Sequence, residues 1–525
     1  MAQSDLSQQQ QDEALLQKFG YKQELRRTLG FLSNFAVAFS YISVSTGTFS
    51  LFYLGILAGG PAFFWTWFIV AIGQFIVALN FAELSSHFPI AGSIYQWSKR
   101  LSGFTLGWFT GWFYFFAGVL TITAVAFTVP IPLLAIFPGI PATILGMNSA
   151  VFIALVSIVV GTMINIAGVR LVAIVNNIGV VAEIIGMFVF ALVLLIFFNH
   201  QPLSFLFTPS SVSPASLGGQ WTPGLGDTYI GAFAAALFMS LFVIYGFDTA
   251  GTLGEETNDP QRNAPRGVLW AIGLSAIAGV LFLGGTILSI KNLSDIEAIA
   301  SGANFTQTLP AIIQQALGTS WGNVYLGVVL IAVCVCTLAI QSATIRLMFS
   351  MGRDGRLPFG KIWGTVNPTF RTPMWAGIAV AVLSAIPFIY STAIGVIVTG
   401  ATGLIYVSYF LNNIASLGAR TRGWPRTKAP FSLGRWGMLV NILALVYGGL
   451  MIVNFLWFGG LRNIYTNPVM GTAFPSWVNI PVLGGTPIFE FSLVVLVVVG
   501  AIYWFGFKRR AVIAGGEKRA EALSD

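Results

Sequence analysis

Apolar residues in this chain come in long runs, not in the alternation of a strand or the stripe of an amphipathic helix. The stretches 31–57, 61–84, 104–129, 150–167, 171–198, 229–254, 267–290, 324–350, 374–390, 394–417, 438–458 and 489–507 are apolar almost throughout. At ~1.5 Å of rise per residue, about 20 residues cross ~30 Å of hydrocarbon, so the pattern predicts about twelve transmembrane helices. Composition agrees: 8% of the residues are charged, where a soluble domain carries about 25%. The predicted fold class is an all-α polytopic membrane protein. The first run follows the charged stretch KFGYKQELRRTLG and lacks the short apolar core and small-residue cleavage site of a signal peptide, so it is expected to stay in the chain.

Lys and Arg collect on the cytoplasmic side of a membrane protein. Twelve spans with both termini inside put all of the 26 basic residues there except Lys291 and Arg462. The net charge of +8 is therefore a topology signal, and no nucleic-acid partner is expected. The membrane expected for such a multi-pass chain is the plasma, or inner, membrane.

Chemistry beyond the spans is sparse. Cys334 and Cys336 stand two residues apart in the eighth span, a spacing that does not share a helix face, so they read as small apolar fillers. His87 and His200 have no Cys or acidic partners at metal-ligand spacing, and neither a metal nor a cofactor is expected. The sequence carries no GxxxxGK[ST] loop, GxSxG elbow or HExxH pair, which argues against an ATP-driven pump, a membrane protease or any enzyme.

Two spans are interrupted. Ser43, Ser45, Thr46, Gly47 and Thr48 fall near the middle of the first, and Ile244, Tyr245, Gly246, Phe247 and Asp248 partway along the sixth. Non-helical backbone at membrane depth is tolerated only where it lines a cavity or is buried in protein. Small-residue packing between helices is the plainer reading of either patch alone. Together, five spans apart and each in the first helix of its half, they predict an inverted repeat with a solute site between the breaks.

Charges at depth are expensive and default to function. Asp248 is either a cap on the inner half-helix, a position that favours Asp, or a cavity carboxylate for a positive group or a proton. Glu183, mid-depth in the fifth span among Val, Ala, Ile and Gly, is either the carrier of a coupling proton or a glutamate bonded to a neighbouring helix. Thr337 and Ser342 of the eighth span are the fallback coupling site, for H+ or Na+.

Three strings resemble the amino acid–polyamine–organocation permeases, in the branch of amino-acid, GABA and choline permeases. They are AELSSHFPIAGSIYQW (82–97), EETNDPQRNAPRG (255–267) and IRLMFSMGRDGRLP (345–358), all on the predicted cytoplasmic side. The resemblance runs from about 20 to about 430. It implies the LeuT-like core of five plus five inverted-repeat helices, with discontinuous helices one and six, two further helices and alternating access. It also implies that the first break offers amides to a substrate carboxylate. The family's Gly-Ser-Gly-Ile-Phe reads Ser45-Thr46-Gly47-Thr48-Phe49 here, with only Gly47 and Phe49 matching. The sixth-span break would supply carbonyls at 244–246 for an ammonium, an aromatic gate at Phe242 and a second aromatic at Phe247. Relatives place a lysine near position 180, one turn from Glu183.

Glu83, Glu255, Glu256, Arg346 and Arg353 lie at predicted cytoplasmic helix ends. An ion-pair network holding the inward gate shut is one reading, and a solvated surface the other. The layout expected is a tail (1–28), a core (29–418, repeats about 29–198 and 229–418), a basic loop with helices eleven and twelve (419–507) and a tail (508–525). The function expected is secondary transport of a small amine-bearing solute, an amino acid first. A choline or organic-cation carrier is the alternative if Asp248 faces the cavity. A solute sensor and a channel are the readings from other classes; short tails and paired breaks disfavour them. A disulfide-linked partner subunit is not expected, since 129–148 lacks cysteine.

Overall fold

The computed structural model describes residues 2–210, 229–302, 304–390, 394–456 and 488–509, most of them helical. In chain order the helices are α1 (Ala2–Lys18), α2 (Phe31–Ile42), α3 (Val44–Gly59), α4 (Phe64–His87), α5 (Ser93–Ser102), α6 (Phe104–Ala126) and α7 (Pro130–Ile136). A minimal hairpin, β1 (Thr143–Ile144) with β2 (Met147–Asn148), leads to α8 (Ser149–Ala167), α9 (Val169–Ile184) and α10 (Phe190–Phe197). The second half holds α11 (Tyr229–Val243), α12 (Thr249–Thr252), α13 (Pro260–Leu288), α14 (Leu293–Ser301), α15 (Thr308–Arg353), α16 (Gly360–Trp363), α17 (Met374–Ala385), α18 (Pro387–Tyr390) and α19 (Ile394–Arg420). Then follow α20 (Gly437–Leu456) and α21 (Ile488–Tyr503). Arg462, the end of the run 438–458 and the C-terminal tail from 510 lie outside the described residues.

Among the described residues, seven stretches are long and apolar enough to cross a bilayer, the first of them, Phe31–His87, being 57 residues. Shorter apolar helices, among them Tyr229–Val243 and Met374–Ala385, accompany them. Side chains on the outside are themselves apolar, as at Ile72, Met163, Ile178 and Ile196, the inverse of a soluble surface and what a lipid solvent requires.

The boundaries differ from the sequence pattern where local chemistry intervenes. The run 267–290 begins earlier, at Pro260, whose missing N–H costs nothing in a first turn. The run 324–350 is the inner part of 46-residue α15, whose chain turns at Gly318 in left-handed backbone (φ 75°). The run 171–198 is α9 and α10 joined by a π turn at Ile185–Val189.

Packing follows the two halves. The third span (α6) lies against the tenth (α19), and the eighth (α15) against the fifth (α9); exchanging the halves converts one pair into the other. The second and seventh spans, α4 and α13, pack together, as do the first and sixth through α3 and α11, and each of these pairs maps onto itself. Two interrupted helices are thereby brought face to face at the centre of the bundle.

Candidate functional site

The first-span break is narrower than the polar cluster suggests. Only Ser43 leaves the helix, at φ 33° and ψ 87°, closing α2 and opening α3. Its Oγ accepts from the Thr46 amide at 3.4 Å and lies 2.6 Å from Thr46 Oγ1. Ser45, Thr46, Gly47 and Thr48 form the first turns of α3, and Thr48 bonds back to the Val44 carbonyl at 2.6 Å. A break here leaves the opening amides of α3 without the carbonyl four residues upstream that an unbroken helix provides.

The sixth-span break is wider. Regular helix ends at Val243, residues 244–248 are irregular, and α12 is a single turn. Gly246 takes φ 89°, a region that costs an L-residue but not glycine. Close approach fixes both glycines. A Cβ at Gly246 would meet the Tyr41 ring at 1.9 Å, and one at Gly47 would meet Val243 Cγ2 at 2.5 Å. The two broken spans therefore touch backbone to side chain in both directions.

Between the breaks is a cavity of about 10 Å³, room for about one water. Thr46 and Gly47 line it from the first span, Phe242 and Tyr245 from the sixth. Phe242 stands edge-on to Tyr245, ring centroids 5.9 Å apart. The sequence suggested no site role for Tyr41, Ile42, Thr121, Val125, Cys336 or Ile340, which complete the lining. No lining residue carries a charge. Cys336, read as a filler, faces the cavity with its Sγ 3.5 Å from the Tyr41 carbonyl, whereas Cys334 is exposed on the outside of α15.

Other expected site residues are held elsewhere. Phe247 packs on Phe81 and Tyr409, and Ile244 is fully buried with its amide on the Ser240 carbonyl. Asp248 makes no side-chain cap for α12. Its carboxylate is enclosed by three hydroxyl donors: Tyr409 at 2.6 Å, Tyr114 at 2.7 Å and Ser93 at 3.0 Å. Tyr409 also accepts from the Gly246 amide at 2.9 Å, so Asp248 fixes the hydroxyl that satisfies the break's own backbone. A carboxylate with three close donors is well solvated by protein and presents no free anion to the cavity.

Glu183 is buried and points at the first break, accepting from Ser45 Oγ at 3.3 Å. It stands two residues before the π turn of the fifth span, a distortion common at functional sites. Thr337 bonds back to Val333 within α15, and Ser342 accepts from Arg346; neither is joined to Glu183.

At the basic end, Glu255 and Glu256 accept forked pairs from Arg353 (3.0 and 2.7 Å) and Arg346 (2.5 and 3.0 Å) respectively. Glu83 is the exception in the expected network. It pairs with Arg420 and accepts from Leu433 N and Ser432 Oγ, because α4 packs on α20 and is bonded to α19 there through Asn80 and Asn413. A further cluster was missed. Asp354 accepts from Lys99 (2.5 Å), Tyr95 (2.7 Å), Tyr21 (2.8 Å) and Gln96 (3.3 Å). Burial opposes its ionisation, but Lys99 and the hydroxyl donors prevail and hold its carboxyl at about 2. Lys99 answers asymmetrically: burial pulls its ammonium below the ordinary value and Asp354 only partly restores it. We take Asp354, with four donors, as the charge around which the cluster is built. The Arg353 guanidinium lies 3.9 Å from the Tyr21 ring centre, a cation–π contact that pins the N-terminal segment across this end.

The chain is 28% identical over 522 residues to the amino-acid permease BAT1 homolog of Oryza sativa subsp. japonica, covering 94% of each chain. It is 25% identical over 369 residues to the branched-chain amino acid permease BcaP of Bacillus subtilis, covering 67% of this chain and 72% of the relative. It is 26% identical over 472 residues to the methylthioribose transporter of the same bacterium, covering 84% and 88%. A family model described as amino acid permease matches residues 29–485, and the chain, a multi-pass helical membrane protein with two broken helices enclosing an uncharged cavity, belongs to the amino acid permease family.

Proposed function

We propose that the chain is a secondary transporter that carries a small amino acid with an uncharged side chain between its two breaks by alternating access, driven by protons through Glu183. The observation that carries the reading is the cavity itself: hydroxyls and apolar groups line it, and none of its lining residues is charged. Opening amides of α3 suit a carboxylate at the positive end of the helix dipole, and irregular carbonyls at 244–246 suit an ammonium. Both charges of a zwitterion would thus be met by backbone, leaving the side chain to Ile42, Val125, Phe242 and Ile340. Phe242 acts as the gate. The basic end faces the cytoplasm of a plasma membrane, both termini inside, and its paired Glu255, Glu256, Arg346 and Arg353 hold the inward path closed.

The organic-cation reading needed a free anion at Asp248; its three hydroxyl donors remove that motive. An uncharged polar solute, the class of the methylthioribose relative's named substrate, remains compatible with the lining and belongs in the assay. Uptake into proteoliposomes of labelled neutral, acidic and basic amino acids, choline and methylthioribose, with the inside alkaline and then without a gradient, tests the proposal. Accumulation of a neutral amino acid only with the gradient is expected. Transport of choline or methylthioribose and of no amino acid would refute it.

A further inference from the structure

Glu183 comes from the fifth span, yet its carboxylate serves the first. It accepts from Ser45 Oγ at 3.3 Å, and the Ser43 hydroxyl and the amides of Val44 and Ser45 are its nearby polar groups. Those amides open α3, a 16-residue helix, and are the ones the Ser43 break leaves without a helical acceptor. The cavity begins one residue further on, at Thr46 and Gly47. Glu183 therefore occupies the anion position of the half-helix that borders the cavity.

The surroundings leave the carboxylate without a cationic partner among the described residues. From α15 the titratable groups that face it are Tyr325 and Cys336. From α3 it meets hydroxyls and amides, α8 carries no titratable side chain, and the one such residue on α2, Tyr41, is turned to Tyr245. Its one direct hydrogen bond is to Ser45, in the first turn of α3.

We propose that Glu183 is a built-in stand-in for the substrate carboxylate. Ionised, it caps the α3 amides and keeps the anion position filled. A proton from the open side, added to a Glu183 carboxylate oxygen, removes the charge that the helix end attracts and frees the amides for the incoming carboxylate. On release to the other side the substrate carboxylate departs, Glu183 gives up its proton there and caps the amides again. One proton thus moves with each carboxylate, and the coupling is competition for one site. This rests on the reading of the cavity as an amino-acid site and adds how the coupling works.

The test is binding to the purified full-length protein between pH 5.5 and 8, for the best-transported amino acid and for its decarboxylated amine, with proton uptake followed by a pH dye. The amino-acid Kd should rise with pH by up to about tenfold per unit, the slope of one linked proton, and binding should take up a proton. The amine, which needs no amide, should bind weakly and with little slope. Glu183→Gln should bind the amino acid with a flat profile, at least as tightly as the parent at pH 5.5. Binding by the parent without proton uptake, or an unchanged slope in Glu183→Gln, overturns the competition while leaving amino-acid transport standing. Absence of amino-acid binding at every pH overturns both. The proton-uptake arm uses the unmodified protein, so it decides even if the variant does not fold.

Discussion

Gly246 and Tyr41 are locked together: the glycine's left-handed backbone lies so near the ring that a Cβ would stand 1.9 Å from it. Gly246→Ala therefore meets two penalties, ~1 to 2 kcal/mol for the left-handed conformation and a clash that pushes the two broken spans apart. Uptake should fall by about tenfold or more with the protein still inserted, measured against surface expression. Full uptake by the alanine variant would show that the spans need not touch.

The Asp248 cluster gives a second prediction. Tyr409→Phe leaves both a buried carboxylate and the Gly246 amide short of a partner, at ~1 to 3 kcal/mol for each unsatisfied group. Asp248→Asn keeps the shape and lets the hydroxyls turn to donate or accept. The phenylalanine variant should therefore lose more thermal stability in detergent than the asparagine variant. Unimpaired amino-acid binding by Asp248→Asn would further separate this carboxylate from the cavity.

Glu183 shows why part of the site was legible in the sequence. A lone carboxyl among Val, Ile and Gly is an anomaly that needs no structure to detect, and the paired polar interruptions likewise stand out against lipid-compatible runs. Their partners do not. Asp354 looks like one more charge in a loop, and Tyr21, which bonds it, lies 333 residues away in sequence. Tyr114 and Tyr409 are unremarkable aromatics until the folding of α6 against α19 aims both hydroxyls at Asp248. Cys336 differs from Cys334 only in the helix face that α15 turns inward. Charge identity was readable; pairing, which depends on tertiary approach, was not, and Glu83 accordingly found Arg420.

Asp354 supplies a pH prediction. Its carboxyl is held below the ordinary carboxylate value, so its contribution to closing the basic end is fully present above about pH 4. It is lost as pH falls through about 2. Amide exchange across residues 19–29, corrected for intrinsic rates, should be flat from pH 5 to 8. Asp354→Asn should raise it about tenfold or more throughout that range. Equal protection in the variant would mean that the N-terminal segment is held by other contacts.

The Arg346–Glu256 fork is buried on both sides. Arg346→Ala strands a carboxylate and should cost ~3 to 5 kcal/mol, while Arg346→Met with Glu256→Leu should recover most of it. Thermal unfolding of the single and double variants checks this. A double variant that is stable but leaks substrate without a gradient would assign the pair to gating.

If substrate sits in the cavity between the two breaks, the chain provides its own reporter there. Its two cysteines are Cys334, exposed on the outside of α15, and Cys336, on the cavity wall. In a Cys334→Ser background, the rate at which a small membrane-permeant thiol reagent modifies Cys336 should fall about tenfold when the transported amino acid saturates the site. Choline should not slow it. A labelling rate unchanged by amino acid at concentrations that saturate uptake would contradict that placement.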